Sequence, residues 1–376
     1  MGTAAQASLA VAALAATEIG ARRNGLRQQV RVDMRHAALE CIGRFEIDGR
    51  APELWDRLAG LYRCGDDRWV RLHTNFAHHR DGILRLLALP PGAETSRETV
   101  AAALRDWQAF AFEDVAATAG MVVAAVRSFD EWDAHPQSAA SAAQPLVAIE
   151  KIGDAPPLAW PALTLDASPL RGLRVLDLTR ILAGPVGGRT LAAYGADVML
   201  VNSPNLPNVE AIIDTSRGKL SALADLHEPA DRDGLRAVLR DAHVFVQGYR
   251  PGALATLGFA PADLAAARPG IVSVSLSAYG EMGPWAGRRG FDSLVQSATG
   301  FNDAESRAVG STEPKALPMQ ILDMATGFLM AFGAQAALLR QQHEGGSWHV
   351  RVSLARTALW LRELGRLAGE IGRAHV

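Results

Sequence analysis

The chain has 376 residues, 49% of them apolar and 21% charged, with a formal net charge of −2. Such a length and composition fit a globular protein of about two domains with a full core. No basic excess is present to draw in nucleic acid or an anionic membrane surface, so a phosphate-bearing ligand would be held by a few placed cations.

In chain order, Met1–Glu18 is rich in alanine. It has no positively charged start and Glu18 interrupts it, so it reads as an amphipathic or buried helix and not as a signal peptide. No run reads as long and apolar enough to span a membrane. Cys41 and Cys64 stand outside any CxxC or Cys/His ligand spacing and are expected as buried thiols in a reducing compartment, which places the protein in the cytoplasm. Arg68–His73 predicts a strand, and Phe76–Leu87, Ser96–Asp106 and Phe110–Ala119 predict helices. His73, His78 and His79 have no Glu or Cys at ligand spacing; they are expected on a solvated surface, with no metal. Trp55, Trp69, Trp107 and Trp132 are expected in the core. Gln137–Pro169, rich in Ala, Ser and Pro, reads as a linker.

Past the linker, short apolar runs at Leu173–Leu178, Val198–Val201, Val244–Val246 and Ile271–Leu276 alternate with helical stretches at Pro185–Tyr194, Asp231–Asp241 and Pro261–Ala267. Such alternation predicts βαβ units and an open, mostly parallel α/β sheet with helices on both faces; a smaller α+β domain precedes it. Met319–Arg340 then predicts one long helix, and Val350–Leu354 another strand.

One internal repeat stands out. Val30–Leu39 (VRVDMRHAAL) matches Val350–Leu359 (VRVSLARTAL), and at the same offset of 320 residues Ala10–Ala21 falls on Met330–Gln341 and Gly25 on Gly345. Two helix–Gly turn–strand–helix units are therefore expected near opposite ends of the chain. The offset places Thr3 opposite Asp323, so one active site per chain is expected at most.

Within Leu173–Val201 the sequence reads strand, turn, helix, Gly turn, strand. At the turn, Ala183-Gly184-Pro185 would let a ligand approach the backbone at a helix N-terminus, a natural place for a phosphate or a carbonyl oxygen. The spacing is not GxGxxG, which disfavours a nicotinamide enzyme. No Gly-x-Ser-x-Gly elbow occurs, so a serine thioesterase is unsupported. Asp323 falls at the start of the long helix, where the dipole and free N–H groups would stabilise a carboxylate; Asp is also a favoured N-cap and needs no catalytic reason to be there.

This stretch resembles the opening of the class III CoA-transferases, the CaiB/BaiF family. Four further segments agree in order: Ser216-Arg217-Gly218-Lys219; Gln247–Leu254 (QGYRPGAL) followed by Leu257-Gly258; Tyr279–Pro284 (YGEMGP) with Gly290–Gly300 (GFDSLVQSATG); and Leu322–Leu338 (LDMATGFLMAFGAQAAL), which resembles the helix that begins with the family's catalytic aspartate. The resemblance implies a Rossmann-like domain over 170–369 and a small-domain-like segment of a first unit over 1–136, joined by the linker 137–169. Residues 370–376 (EIGRAHV) read as an adapter or cloning scar.

It further implies acyl-CoA:carboxylate CoA transfer through an aspartyl acyl-anhydride and an aspartyl-CoA thioester on Asp323. Arg217, Lys219 and Arg250 would hold CoA phosphates, Ala183 and Gly184 would lie near the thioester, and Asp292 would position substrate or cap the helix after Phe291. Coenzyme A or acyl-CoA enters as substrate with a carboxylic acid, no cofactor is bound permanently, and a homodimer is implied. Racemases of this fold use a His where this chain has Phe291, which cannot relay a proton; a racemase-like enzyme is one alternative, and a non-catalytic acyl-CoA-binding subunit is the other. Asn202-Ser203-Pro204 replaces the family's Glu-Pro, and Gly248 its Asn.

Overall fold

The computed structural model describes residues 1–206 and 208–366, so the expected scar lies outside the described residues. Helices α1 (Gly2–Asn24) and α2 (Met34–Ile42) open the chain. A smaller unit follows with strands β1 (Gly60–Arg63) and β2 (Trp69–Leu72), helices α3 (Ala77–Leu86), α4 (Arg97–Leu104) and α5 (Ala109–Thr118), and strand β3 (Val123–Ala125). Short helices α6 (Phe129–Asp133) and α7 (Pro136–Ala142) and strand β4 (Ala148–Gly153) lead to the larger unit. That unit runs β5 (Arg174–Leu178), α8 (Ala183–Ala193), β6 (Asp197–Asn202), α9 (Ile212–Thr215), β7 (Lys219–Leu223), α10 (Pro229–Leu239), β8 (Val244–Gln247), α11 (Pro261–Ala267), β9 (Val272–Ser277) and α12 (Asp292–Ala298). Helices α13 (Phe301–Ala308) and α14 (Ile321–Glu344), strand β10 (Ser347–Ser353) and helix α15 (Leu354–Glu363) complete it.

The main sheet has the order β4-β10-β9-β8-β5-β6-β7. Every neighbouring pair is parallel except β4 with β10. From β5 the chain steps outward to β6 and β7, then returns to lay β8 on the other side of β5. The strand order reverses there, which is where open α/β sheets leave a crevice for ligands at the carboxyl ends of their strands. Strands β5, β8 and β9 are buried on both faces over most of their length; β8 is apolar up to Gln247, whereas Asp177 in β5 and Ser273 and Ser275 in β9 are polar residues buried within the sheet. Val175, Val244, Val246 and Val274 pack beneath α8 and α14, while Leu176, Phe245 and Ile271 pack against α10 and α11.

Three expectations change. Residues 137–169 are more than a linker: they carry α7 and β4, and β4 closes the sheet edge against β10. Strand β7, unforeseen, begins at Lys219. Helices α1 and α14 are, by length and composition, long and apolar enough to cross a membrane; most of α14 is buried inside the fold, and somewhat under half of α1. The two helices lie against each other: Gln335 Nε2 donates to the Ala12 carbonyl at 3.1 Å and Arg22 Nη1 to Gln342 Oε1 at 3.2 Å.

The repeat extends to the level of helix caps. Asp33 accepts from the His36 amide at the start of α2, and Ser353, at the same offset, accepts from the Arg356 amide at the start of α15. The strand is where the units part. β10 lies between β4 and β9, whereas Val30–Val32 has no sheet to join and remains outside any ladder.

Candidate active site

The turn between β5 and α8 is fastened from inside. Lys219 Nζ lies 2.8 Å from Asp177 Oδ2 and 2.8 Å from the Pro185 carbonyl oxygen, both side chains of the ion pair being 0% exposed. The other carboxylate oxygen of Asp177 accepts from the Thr179 amide and hydroxyl. Gly188 makes room for the pair, since a Cβ there would stand 2.1 Å from Asp177 Oδ2. Lys219 is therefore a buried cation with two of its three donors engaged, a geometry that fits anchoring this turn better than the expected phosphate contact.

Helix α14 approaches α8 through glycines. A Cβ on Gly327 would stand 2.5 Å from the Ala183 carbonyl oxygen and 2.8 Å from Val186 Cβ. Ala183 and Gly184 are buried at the start of α8, one helical turn of α14 from Asp323. These three expected residues are thus brought together. Thr179, Arg180, Ile181 and Pro185 line a narrow crevice beside Asn202 at the end of β6. Ile181 has φ of +76°, a conformation a β-branched residue adopts only at a cost, and such strain clusters at ligand-binding turns.

Asp323 is 8% exposed. Among the described residues nothing donates a hydrogen bond to its carboxyl. The N-terminal amides expected to stabilise it are already taken: Asp292 Oδ2 accepts from the Asp323 amide at 2.9 Å, and the same carboxylate accepts from the Leu322 amide. Asp292 Oδ1 accepts from Gln296 Nε2 at 2.5 Å. Asp292 does not cap the helix after Phe291, as one reading expected; it is the first residue of α12 and its carboxylate caps α14 instead. Burial pushes the Asp292 carboxyl up to about 7, against the opposing pull of these donors. Burial first, and then the negative field of Asp292, raise Asp323 well above the usual carboxylate range. The helix start therefore does not hold Asp323 charged; the two acids titrate as a pair.

Cations gather at the mouth between the two units. Arg250 is exposed in the loop after β8, and its charge acts on Arg289. Arg289 Nη1 lies 3.1 Å from His79 Nε2, and the Arg180 guanidinium sits 5.2 Å from the Phe76 ring centroid. Arg180 and Arg289 escaped the sequence reading, although Arg180 lies two residues past the end of β5, where parallel-sheet sites begin. His73 and His79 are each 3% exposed, which overturns the solvated-surface expectation; burial, then neighbouring positive groups, lower both to about 3. Trp55, expected in the core, is 43% exposed. Arg217 is exposed and paired with Asp214 at 2.8 Å. A Cβ on its neighbour Gly218 would meet Ala192 Cβ at 3.4 Å, near the far end of α8. Arg217 thus lies away from Ala183 by about 13 Å of helix and does not join the cleft.

The profile of CoA-transferase family III matches residues 170–366. An acyl-CoA transferase of Gibberella moniliformis is 30% identical over 367 residues, covering 87% of this chain and 64% of the relative. Because it covers 87% of the chain, this match extends well into the residues before 170. An acetyl-coenzyme A transferase of Hypoxylon pulicicidum is 35% identical over 211 residues, covering 54% of this chain and 36% of the relative. A succinate–glutarate CoA-transferase of Agrobacterium fabrum is 31% identical over 205 residues, covering 50% and 51%. The chain therefore spans between about a third and two thirds of the length of these relatives.

Proposed function

The chain belongs to CoA-transferase family III, and from that membership we propose that it transfers coenzyme A from an acyl-CoA to a carboxylic acid with Asp323 as the acylated residue. The observation that carries this reading is the Asp323 carboxyl itself: buried, without a hydrogen-bond donor among the described residues, and beside an acid that has taken up the helix amides. A strongly perturbed, buried pair of acids is a candidate chemical site.

In this mechanism an Asp323 oxygen attacks the thioester carbonyl carbon, the C–S bond breaks, and CoA leaves as thiolate. The thiolate then attacks the Asp323 carbonyl carbon of the mixed anhydride, and the donor acid leaves as carboxylate, giving an aspartyl-CoA thioester. The acceptor carboxylate repeats the two steps in reverse order, so no net proton is consumed. Asp323 attacks only when ionised; its raised pKa therefore makes the rate climb with pH through the titration of the pair. Arg250, Arg180 and Arg289 supply the positive field for the CoA phosphates.

We place the reaction in the cytoplasm, a reading supported by two buried, unpaired thiols, and on a homodimer, supported by the exposed apolar side chains Leu26, Met34, Leu39 and Ile42. Light scattering tests the dimer. The catalytic reading is tested by mass spectrometry after incubation with an acyl-CoA panel and hydroxylamine. Asp323 is expected to be recovered as its hydroxamate, and Asp323→Ala is expected to lose both label and turnover. Tight CoA binding with Asp323 unmodified would instead identify an acyl-CoA-binding subunit.

A further inference from the structure

Strand β2 is two-faced. Val70 and Leu72, both 0% exposed, point into the core of the small unit with residues of α3, α4 and α5. The period of two sends Arg71 and His73 to the opposite face, toward α12. His73 stacks on Phe291, with ring centroids 3.9 Å apart and planes 13° from parallel. Phe291 immediately precedes Asp292, so this face of β2 abuts the acid pair.

Arg71 lies one pleat before His73. Its guanidinium sits 5.1 Å from the Trp55 ring centroid, its Nε is buried without a hydrogen-bond partner, and among the described residues it forms no ion pair. Asp292 is near enough for its charge to act on Arg71, but the Asp292 oxygens are engaged with Gln296 and the start of α14. A planar, permanently charged fork in this position is matched to a carboxylate. The cations suited to CoA phosphates, Arg180, Arg250 and Arg289, gather instead around Phe76 and His79 on α3 and its N-cap.

We propose that Arg71 holds the carboxylate of the acceptor acid, and of the released donor acid, beside Asp323, so that the small unit selects carboxylates as co-substrates. This rests on the acylation of Asp323 for its catalytic meaning, but the binding site stands on its own.

The test separates the two. Succinate, glutarate and acetate are titrated calorimetrically into wild type, Arg71→Met and Arg71→Lys without acyl-CoA, and Asp323 labelling by acyl-CoA and hydroxylamine is measured in parallel. Arg71→Met is expected to weaken carboxylate binding, and to raise the acceptor KM, by about tenfold to a hundredfold, while Asp323 labelling and the acyl-CoA KM stay near wild type. Arg71→Lys should recover part of the binding, and methylguanidinium should partly rescue Arg71→Ala. Unchanged carboxylate binding in Arg71→Met overturns the proposal, as does a parallel loss of labelling and thermal stability, which would mark a structural residue. A wild type that binds these acids through Arg71 but is never labelled would remove the acylation reading and leave the carboxylate site.

Discussion

Replacing Lys219 tests whether it anchors the β5–α8 turn or holds a phosphate. At 2.8 Å from Asp177 and an effective dielectric of about 20, the attraction is roughly 6 kcal/mol. Burying each ion costs several kcal/mol, so the pair nets little over an apolar replacement. Removing one partner alone is different, because Asp177 would keep a buried, uncompensated charge. Lys219→Met is therefore expected to lose about 3–5 kcal/mol, read by urea denaturation, whereas the double variant Asp177→Leu/Lys219→Met should recover much of that loss. A phosphate-holding lysine behaves in the opposite way: its removal leaves stability nearly unchanged and raises the KM for acyl-CoA. Native stability with a raised KM in Lys219→Met would refute the anchoring argument.

Asp292→Asn removes the neighbouring charge that helps hold the Asp323 pKa high, so the acid limb of the pH–rate profile should move to lower pH. The same variant has a stability signature. The folded Asp292 carboxyl is raised to about 7 from its usual 3.8, so the stabilisation from its bound proton is present below that usual value and lost as pH rises through about 7. Asn does not ionise, and its melting temperature relative to wild type should climb between these limits and then level off; a flat difference would contradict the burial of the pair. Gly327→Ala would drive a methyl into the Ala183 carbonyl, with an expected cost on the order of 1–3 kcal/mol and reduced Asp323 labelling, both measurable on one preparation. Arg127 pairs with Glu113, each side chain 7% exposed or less, and its amide donates to the Ser297 carbonyl of α12. Arg127→Met should cost about 3–5 kcal/mol by urea denaturation.

Much of the larger unit was readable before folding. Parallel strands covered on both faces are short, rich in Val, Leu and Ile and separated by helices, and β5, β6, β8 and β9 follow that rhythm. Strand β7 was missed because it is the edge strand of the sheet: Leu220 and Leu223 are 66% and 70% exposed and no continuous apolar run marks it. Strand β4 was hidden by an alanine- and proline-rich neighbourhood that resembles a linker. Of the site, motif order singled out Asp323, Ala183 and Gly184, and helices α14 and α8 that carry them pack together at Gly327, since a chain of βαβ units delivers strand ends and helix starts to the same edge.

What the linear sequence determined is what local chemistry determines: the βαβ rhythm, the long apolar helix, the caps on both copies of the repeat, and an aspartate at a helix start. Which charges face a ligand was decided only in three dimensions. Lys219 and Arg217 stand two residues apart, yet one is buried against Asp177 and the other is solvated beside Asp214. Asp323 and Arg71 are brought near the same acid, Asp292, from distant parts of the chain. Burial and charge pairing depend on neighbours that tertiary packing supplies, and no spacing along the chain encodes them.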